Sequence, residues 1–330
     1  MAVAKLGRGR GAALSSALAA LAGMLLIASS GRASVLVNDT WIDGTDSDPA
    51  SPIYSENGTD ADADGNLESA WFQGGAGTLD PVGAGGPERG NMTSGGTSSA
   101  SWTSFFTPEA TPVALAQGDK IRITWKFVLS NVNTSNTNQN FRVALVDTPG
   151  ASRITANASP ASAVYTGYAM FMNMGQTLGN TNPFQLRERV VTSSSDLLST
   201  GANWGADGVA SAGLANGATS GNTGYVAATE YTMLWELTRT PADALQVDVS
   251  MSGGSLNNTG TASVSVTDAT PNGGSFTFDT LGIRPSGATT TAELFDTTLF
   301  KVETIVPEPA SLALLGLGGF AMIRRRCKRA

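Results

Sequence analysis

The residues best placed to do chemistry form an acidic stretch at positions 60–68, which reads DADADGNLE. Its carboxylates have the spacing of a calcium-binding loop and belong to Asp60, Asp62, Asp64 and Glu68. In such a loop alternate side chains converge on one hard cation, and a glycine, here Gly65, permits the sharp turn. The twelfth position holds Trp71 instead of the usual bidentate glutamate. The stretch therefore predicts either a calcium site or a solvated acidic turn, and no other cofactor is predicted.

Tryptophans near predicted loops or strand ends are the second set of candidates. A flat aromatic face can stack on a sugar ring, and this role is predicted for Trp71 and Trp204. The alternative for both residues is ordinary packing in the interior. Trp125 and Trp235 fall in phase with the apolar residues of their segments, so they are predicted to belong to the core.

Groups suited to catalysis are sparse. The chain contains no histidine, which excludes histidine triads, histidine general bases and histidine metal ligands. A glycoside hydrolase needs two carboxylates roughly 5–10 Å apart, and no predicted strand carries three acids on alternate positions. Glu188 lies between Arg187 and Arg189 and is expected to form surface ion pairs. No catalytic residue is predicted, and the protein is expected not to be an enzyme.

The elements that must position these residues are strands. Apolar and polar residues alternate with period two in the segments 121–129, 141–145, 233–237, 245–251, 264–266, 276–278 and 300–302. This period indicates half-buried antiparallel strands, and their spacing of about ten residues favours an all-β fold, an antiparallel β-sandwich of the jelly-roll type. Long polar loops are predicted at 43–66, 74–101 and 199–224.

Charge is distributed unevenly along the chain. Nine of the 20 basic residues lie in the first 33 or last seven positions, so residues 34–323 carry 11 basic and 27 acidic residues, a net charge of −16. An acidic surface disfavours nucleic acid as a partner and is typical of a soluble exported protein. The single cysteine, Cys327, lies in the basic tail, so the central domain can form no disulfide.

Residues 1–33 have the features of a secretory signal peptide. A basic start precedes the apolar segment 12–28, and the small residues Gly31 and Ala33 favour cleavage after Ala33. An N-terminal transmembrane anchor is the alternative. The predicted domains are thus the signal peptide at 1–33, a β-sandwich at 34–305 and a separate tail at 306–330.

The tail contains a motif, an apolar segment and a basic end. The motif is Val306-Pro307-Glu308-Pro309, the apolar segment runs from Ser311 to Ile323, and the basic end consists of Arg324, Arg325, Arg326, Lys328 and Arg329. A 13-residue helix is about 20 Å long, which is short of the ~30 Å hydrocarbon core. The mismatch favours a transient membrane-spanning signal over a lasting anchor. The basic end should remain cytoplasmic, with the domain outside.

This tail resembles the PEP-CTERM sorting signal of bacteria. The resemblance implies export across the inner membrane, recognition and cleavage by an exosortase, transient membrane attachment, and delivery to the cell surface or the exopolysaccharide matrix. The segment Phe141–Asp147, with the predicted strands at 165–171 and 295–303, resembles a concanavalin-like jelly roll.

Two functions are compatible with these patterns. The first is a non-catalytic structural or carbohydrate-binding component of the cell surface, with exosortase, the secretion machinery and extracellular polysaccharide as partners. The second is a polysaccharide-degrading hydrolase or lyase on the same fold. The missing histidine and the missing strand of alternating acids favour the first.

Overall fold

The computed structural model describes residues 32–41, 54–81, 90–93, 98–149, 152–161, 164–179, 181–190, 196–274 and 276–307. A compact unit spans Ala33–Ile305. Its described strands pair antiparallel into two large sheets and one two-stranded ribbon, in which β6 (Val113–Ala114) pairs with β17 (Thr277–Phe278). The predicted all-β antiparallel fold is therefore confirmed.

Sheet A consists mainly of long strands with strict alternation. Across the sheet its strands are β16 (Thr261–Asp268), β15 (Leu245–Ser252), β14 (Glu230–Arg239), β7 (Lys120–Ser130), β19 (Leu294–Val306), β4 (Gly90–Thr93) and β3 (Thr78–Pro81), and β1 (Arg32–Asp39) also pairs with β19. In β7 every second residue from Ile121 to Leu129 is buried, while the residues between them reach solvent. Branched and aromatic side chains fit this half-buried pleated surface. The two faces of β7 are thus the ones its alternation predicts.

Sheet B places the second apolar layer opposite the first. Across the sheet its strands are β12 (Val209–Ala210), β11 (Trp204–Ala206), β10 (Phe184–Arg189), β9 (Thr166–Met172), β8 (Phe141–Asp147), β18 (Thr280–Pro285), β5 (Ala100–Phe105) and β2 (Trp71–Gly75), and β13 (Ala215–Asn216) also pairs with β10. Short 3₁₀ turns lie at Gly201–Asn203, Leu256–Asn258 and Asn272–Gly274. Both faces of this sheet are substantially covered, because β8 and β9 carry runs of buried residues.

The core between the sheets is rich in aromatic side chains. Trp125 of sheet A stacks on Phe127 at 4.1 Å between ring centroids and lies 6.1 Å from Phe141 of sheet B. Phe295 packs against Phe141 at 5.3 Å. Contacts of this kind join the inner faces of the two sheets into one sandwich. Trp125 and Trp235 are each 1% exposed, as predicted for core residues.

Two of the predicted long loops contain strands. The segment 74–101 includes β3 and β4 and the ends of β2 and β5, and the segment 199–224 includes β11, β12 and β13. The strands β3, β4, β11, β12 and β13 have only two to four residues each, so they carry little of the apolar alternation that reveals a strand in sequence. The expectation of long irregular loops there was wrong. The described part of 43–66, residues 54–66, contains turns and bends.

The two ends of the chain lie almost entirely outside the described residues. The predicted signal helix within 1–33 and the apolar segment from Ser311 to Ile323 are not among them, nor are Glu308, Pro309 and the basic end. β1 begins at Arg32, two residues before the domain start that the sequence predicts. In the part of the chain described here, no helix has the length and apolar character needed to cross a membrane.

Candidate cation-binding loop and arginine face

The acidic stretch lies in a loop between β1 and β2 that backbone hydrogen bonds hold against the sandwich. Gly58 N donates to Leu36 O at 2.8 Å and Asn38 N donates to Leu67 O at 2.9 Å, which ties both ends of the loop to β1. Ser55 N donates to Phe105 O of β5 at 2.8 Å. These backbone hydrogen bonds alone fix the loop to both sheets.

The three predicted aspartates come together as the spacing indicates. Carboxylate oxygens of Asp60, Asp62 and Asp64 all lie within 4.8 Å of one another, and the three side chains are exposed. Asp60 accepts hydrogen bonds from Ala63 N at 2.6 Å and Gly65 N at 3.1 Å. These bonds curl the backbone around the carboxylates, and Gly65 has φ +92°, a left-handed conformation that glycine adopts without strain.

Glu68 does not join all three aspartates; it forms a second group with Asp62 and with Glu56. Carboxylate oxygens of these three side chains also lie within 4.8 Å of one another. Glu56 and Glu68 are buried, at 7% and 2% exposure, whereas Asp62 is exposed. The predicted ligand set of Asp60, Asp62, Asp64 and Glu68 thus divides into an outer group and a half-buried inner group that share Asp62.

Backbone amides hold Glu56 in the inner group. Its Oε1 accepts from Ala61 N at 2.5 Å and its Oε2 accepts from Glu68 N at 3.1 Å. Burial, followed by contact with Glu56, raises the pKa of Glu68 to about 9. Both carboxylate oxygens of Glu68 lack a hydrogen-bond donor among the described residues.

Sequence reasoning missed Glu56 because it lies outside the regular spacing of acids. The available signal was the pair Asn57-Gly58 directly after it, a typical turn sequence that folds the chain back on itself. Asn57 and Gly58 have φ values of +55° and +81°. This turn brings Glu56 beside the acids that follow it.

Trp71 does not have the exposed face that sugar stacking requires. It is 2% exposed, and its ring packs edge-on against Phe300 at 5.0 Å between centroids. Its Nε1 donates to Ser69 Oγ at 2.5 Å. The predicted stacking role is therefore wrong for Trp71, because β2 directs the indole into the core between the sheets.

Trp204 is also buried, at 0% exposure, on the other side of sheet B. It packs with Phe171, 6.3 Å away, in a small second core, and its Nε1 donates to Leu197 O at 3.0 Å. The segment carrying Leu197 and Leu198 lies over this face of the sheet and excludes solvent from the indole. The stacking prediction is wrong here as well.

Glu188 is buried instead of forming surface ion pairs with its neighbours. Successive residues of a strand face opposite sides, so Glu188 of β10 points between the sheets while Arg187 and Arg189 point away. Its Oε1 accepts from Asn272 N. Burial, together with the nearby carboxylate of Asp268, raises the pKa of Glu188 to about 7.

Asp268 completes a buried acidic pair with Glu188 and is itself 3% exposed. It accepts a hydrogen bond from the hydroxyl of Tyr168 at 2.7 Å and one from Thr270 N at 2.9 Å. Because both acids are covered, this pair is not positioned to act on a polymer as a hydrolase would. It joins β10 of one sheet to β16 of the other.

The outer face of sheet B carries a group of arginines, here called the arginine face, consisting of Arg142, Arg187 and Arg284. Arg142 and Arg284 are directly opposite each other on β8 and β18. Arg142 and Arg187 lie over the ring of Phe171 at 4.9 Å and 4.3 Å. Burial, followed by repulsion from Arg284 and Arg187, lowers the pKa of Arg142 to about 10.

Few acids balance the arginine face. In the described chain, Asp196 is the carboxylate in ion-pair contact with it, 4.0 Å from Arg284 Nε. Arg142 Nη1 donates to the carbonyls of Leu198 and Ser199, at 2.6 and 3.0 Å. The Nε groups of Arg142 and Arg284 have no hydrogen-bond partner within the described structure. The described part of the face therefore keeps a surplus of positive charge, although these two Nε groups are themselves buried.

Amide side chains extend this face toward the edge of the sheet. Arg187 donates from Nε to Gln185 Oε1 at 2.8 Å and from Nη2 to Gln139 Oε1 at 3.0 Å. Gln185 in turn donates to Asn216 Oδ1 at 2.8 Å, and Asn216 is exposed. The result is a hydrogen-bonded network of guanidinium and amide groups that runs through the buried Gln185 to the exposed Asn216, and such groups are the donors and acceptors that hydroxyl-rich or carboxylate-bearing ligands require.

Residues 306–329 match the family model described as "PEP-CTERM protein-sorting motif". The chain therefore carries this sorting motif at its C-terminus, as predicted from its sequence. The motif indicates an exported protein that an exosortase sorts to the cell surface. Of its residues, Val306 and Pro307 are described: Val306 ends β19 and Pro307 follows directly.

Similar solved structures include three lectin-type domains. They are the metal-free carbohydrate recognition domain of Emp46p (11% identity, TM-score 0.40, covering 70% of this chain and 87% of that chain), arcelin-5, a lectin-like defense protein from Phaseolus vulgaris (10%, 0.36, 72% and 92%), and lectin II from Ulex europaeus (12%, 0.35, 72% and 97%). No curated protein matches the chain. With every TM-score below 0.5, these likenesses transfer no function.

Proposed function

We propose that the protein is a non-catalytic component of the bacterial cell surface that is sorted by an exosortase and binds extracellular polysaccharide through the arginine face. The observation that carries the proposal is the sorting motif at residues 306–329. A chain with such a motif is delivered outside the cytoplasm, where polysaccharide is the abundant polymer. The arginine face then supplies the binding chemistry.

The join between domain and motif supports processing close to the membrane. β19 runs to Val306, which is also the first residue of the motif, so the last strand continues into it without a linker. Deletion of 306–330 is expected to leave the domain folded, because the inner-facing residues Phe300 and Val302 remain in place. Fractionation of the native host should then find the truncated protein released to the medium instead of held at the cell surface. Unchanged surface retention would refute the sorting step.

The arginine face favours an acidic polysaccharide over a neutral one. A guanidinium group recognises a carboxylate with two parallel hydrogen bonds, and partly buried pairs of this kind are stronger than exposed ones. Residues 34–323 as a whole are acidic, with a net charge of −16, and repel polyanions at long range. Binding should therefore depend on this local face and weaken as added salt screens it.

Co-sedimentation with purified matrix polysaccharide tests the binding step. The variants Arg187→Gln and Arg284→Gln are expected to weaken binding at least tenfold each, because each removes a charge-assisted contact worth ~1.5–3 kcal/mol. Arg122→Gln is the matched control, since Arg122 lies on the outer face of the other sheet and pairs with Glu236 at 2.7 Å. Equal binding by all three variants would remove the arginine face from the proposal.

The alternative is a polysaccharide-degrading enzyme on the same sandwich. Its discriminating test is release of reducing ends or unsaturated products from a panel of bacterial polysaccharides. The proposal expects no release above a heat-inactivated control. Turnover that a single carboxylate substitution abolishes would replace the binding function with a catalytic one.

A further inference from the structure

We infer that a calcium ion binds in the inner acidic group, between the carboxylates of Glu56, Asp62 and Glu68. This site differs from the four-acid loop that the sequence spacing predicts, because it includes Glu56 and leaves Asp60 and Asp64 in the outer group. It is independent of polysaccharide binding, since the arginine face and the acidic loop involve different strands and loops.

The spacing of the oxygens fits one hard cation. Calcium takes oxygen ligands at about 2.3–2.6 Å, so two ligands on opposite sides of the ion are about 4.6–5.2 Å apart. The carboxylate oxygens of Glu56, Asp62 and Glu68 lie within 4.8 Å of one another. These distances allow a single ion to contact one oxygen of each side chain.

Glu68 is the observation that distinguishes this group from an ordinary acidic turn. Its side chain is 2% exposed and its two oxygens have no hydrogen-bond donor among the described residues, although they face two other carboxylates. An ionised carboxylate in such a place is strongly unfavourable unless a positive charge accompanies it. The solvated turn that the sequence also allowed would not bury an acid in this way.

The donor set selects the type of cation. All the side chains of the site are carboxylates, and the whole chain has no histidine and one cysteine, Cys327, far along the sequence. Oxygen-only sites suit calcium and magnesium, whereas zinc and copper favour nitrogen and sulfur ligands. Calcium tolerates irregular geometry and takes up to eight oxygens, while magnesium demands a compact octahedron. The irregular loop, with three carboxylates on one ion, favours calcium.

Binding should order the loop as well as neutralise it. The two glutamates are also joined through the backbone, since Glu56 N donates to Glu68 O at 3.1 Å. An ion between their side chains would add a second link across the same loop, which is itself tied to β1 and β5. Calcium is therefore expected to protect residues 54–70 from proteolysis.

The test uses the full-length protein purified after EGTA treatment, with calcium chloride as the titrant in calorimetry and thermal unfolding. The wild-type protein is expected to bind one calcium ion with a Kd of about 10⁻⁴–10⁻³ M, the range of extracellular calcium modules. Glu68→Gln should weaken binding at least tenfold. It should still fold, because the amide is neutral and nearly isosteric with the carboxyl group.

Two further variants localise the ion. Asp60→Asn, in the outer group, should change Kd less than threefold, and Glu230→Gln, at an exposed position of β14 in sheet A, should leave it unchanged. If Asp60→Asn abolishes binding while Glu68→Gln does not, the ion sits in the outer group and the inference is wrong. It is also wrong if the wild-type protein shows no calcium-dependent rise in Tm, or if magnesium binds more tightly than calcium.

Discussion

The buried pair of Glu188 and Asp268 should make the stability of the protein decrease as pH rises. Burial and the neighbouring carboxylate raise the pKa of Glu188 from 4.5 to about 7 in the folded protein. In the unfolded chain its pKa returns to the ordinary value. The folded state therefore holds the proton more tightly than the unfolded state between about pH 4.5 and pH 7.

The sign and the size of the pH effect on the free energy of unfolding follow from the difference between the two pKa values of Glu188. Below pH 4.5 Glu188 is protonated in both the folded and the unfolded protein, so its ionisation does not lower the free energy of unfolding. Above pH 7 the folded protein must keep an ionised Glu188 beside Asp268 in its interior. A shift from 4.5 to about 7 corresponds to about 3 kcal/mol of stability, of which about 2–3 kcal/mol is lost between pH 5 and pH 8. A loss of this size is a substantial part of the 5–15 kcal/mol typical of a folded domain.

Glu188→Gln tests this account because glutamine stays neutral and can still accept the hydrogen bond from Asn272 N. Urea unfolding at pH 5 and pH 8 should show the variant gaining about 2–3 kcal/mol relative to wild type across that interval. Asp268→Asn is the matched partner variant. It should retain part of the wild-type pH dependence, because burial, the larger cause of the pKa shift, remains. A Glu188→Gln protein with the wild-type pH dependence would refute the reasoning.

Three further substitutions test the interior of the sandwich by chemical denaturation. Trp125→Ala should lose about 3–5 kcal/mol, because it leaves a cavity in the aromatic core; a loss below about 1 kcal/mol would contradict the described packing. Asp279→Asn should cost about 3–5 kcal/mol, since it leaves Arg153, 2.8 Å away and 2% exposed, as an unpaired buried cation; Asp279→Asn with Arg153→Met should recover part of that loss. Gly167→Ala should cost about 1–3 kcal/mol, because Gly167 has φ +133° and an added Cβ would meet the carbonyl oxygen of Leu145; an unchanged midpoint would exclude that conformation.

The sequence predicted the long strands because their burial pattern and their composition agree. In β7 and β14 apolar residues occupy alternate positions, and the same positions are buried in the structure. The short strands at 78–81, 90–93, 204–206, 209–210 and 215–216 have only two to four residues each, and they pair through backbone hydrogen bonds that side-chain alternation does not reveal. Their existence depends on neighbouring strands that are distant in sequence, so local patterning could not reveal them.

The candidate site residues differ in the same way: some are placed by local spacing, and others by contacts between segments that are distant in sequence. The three aspartates of the acidic stretch are two residues apart and lie in one local turn, so their spacing in the sequence correctly predicted that they lie together. Glu56 joins the inner group through a turn followed by pairing with β1, which spacing does not encode.

The predictions for Trp71 and Glu188 were wrong because the sequence does not show which face of a strand is covered. Both lie on strands of sheet B, and the face that each residue occupies depends on which side of the sheet the rest of the chain covers. Their local sequence could not decide this, because segments such as Leu197–Leu198 cover part of the outer face and leave both faces of the sheet substantially buried. The charged groups of unbalanced sign therefore lie outside the core between the sheets, at the acidic loop and the arginine face. A search for ligand-binding residues on such a sandwich should weigh charged residues of unbalanced sign on the outer strands above isolated aromatic residues, because burial in the interior is the usual position of the latter.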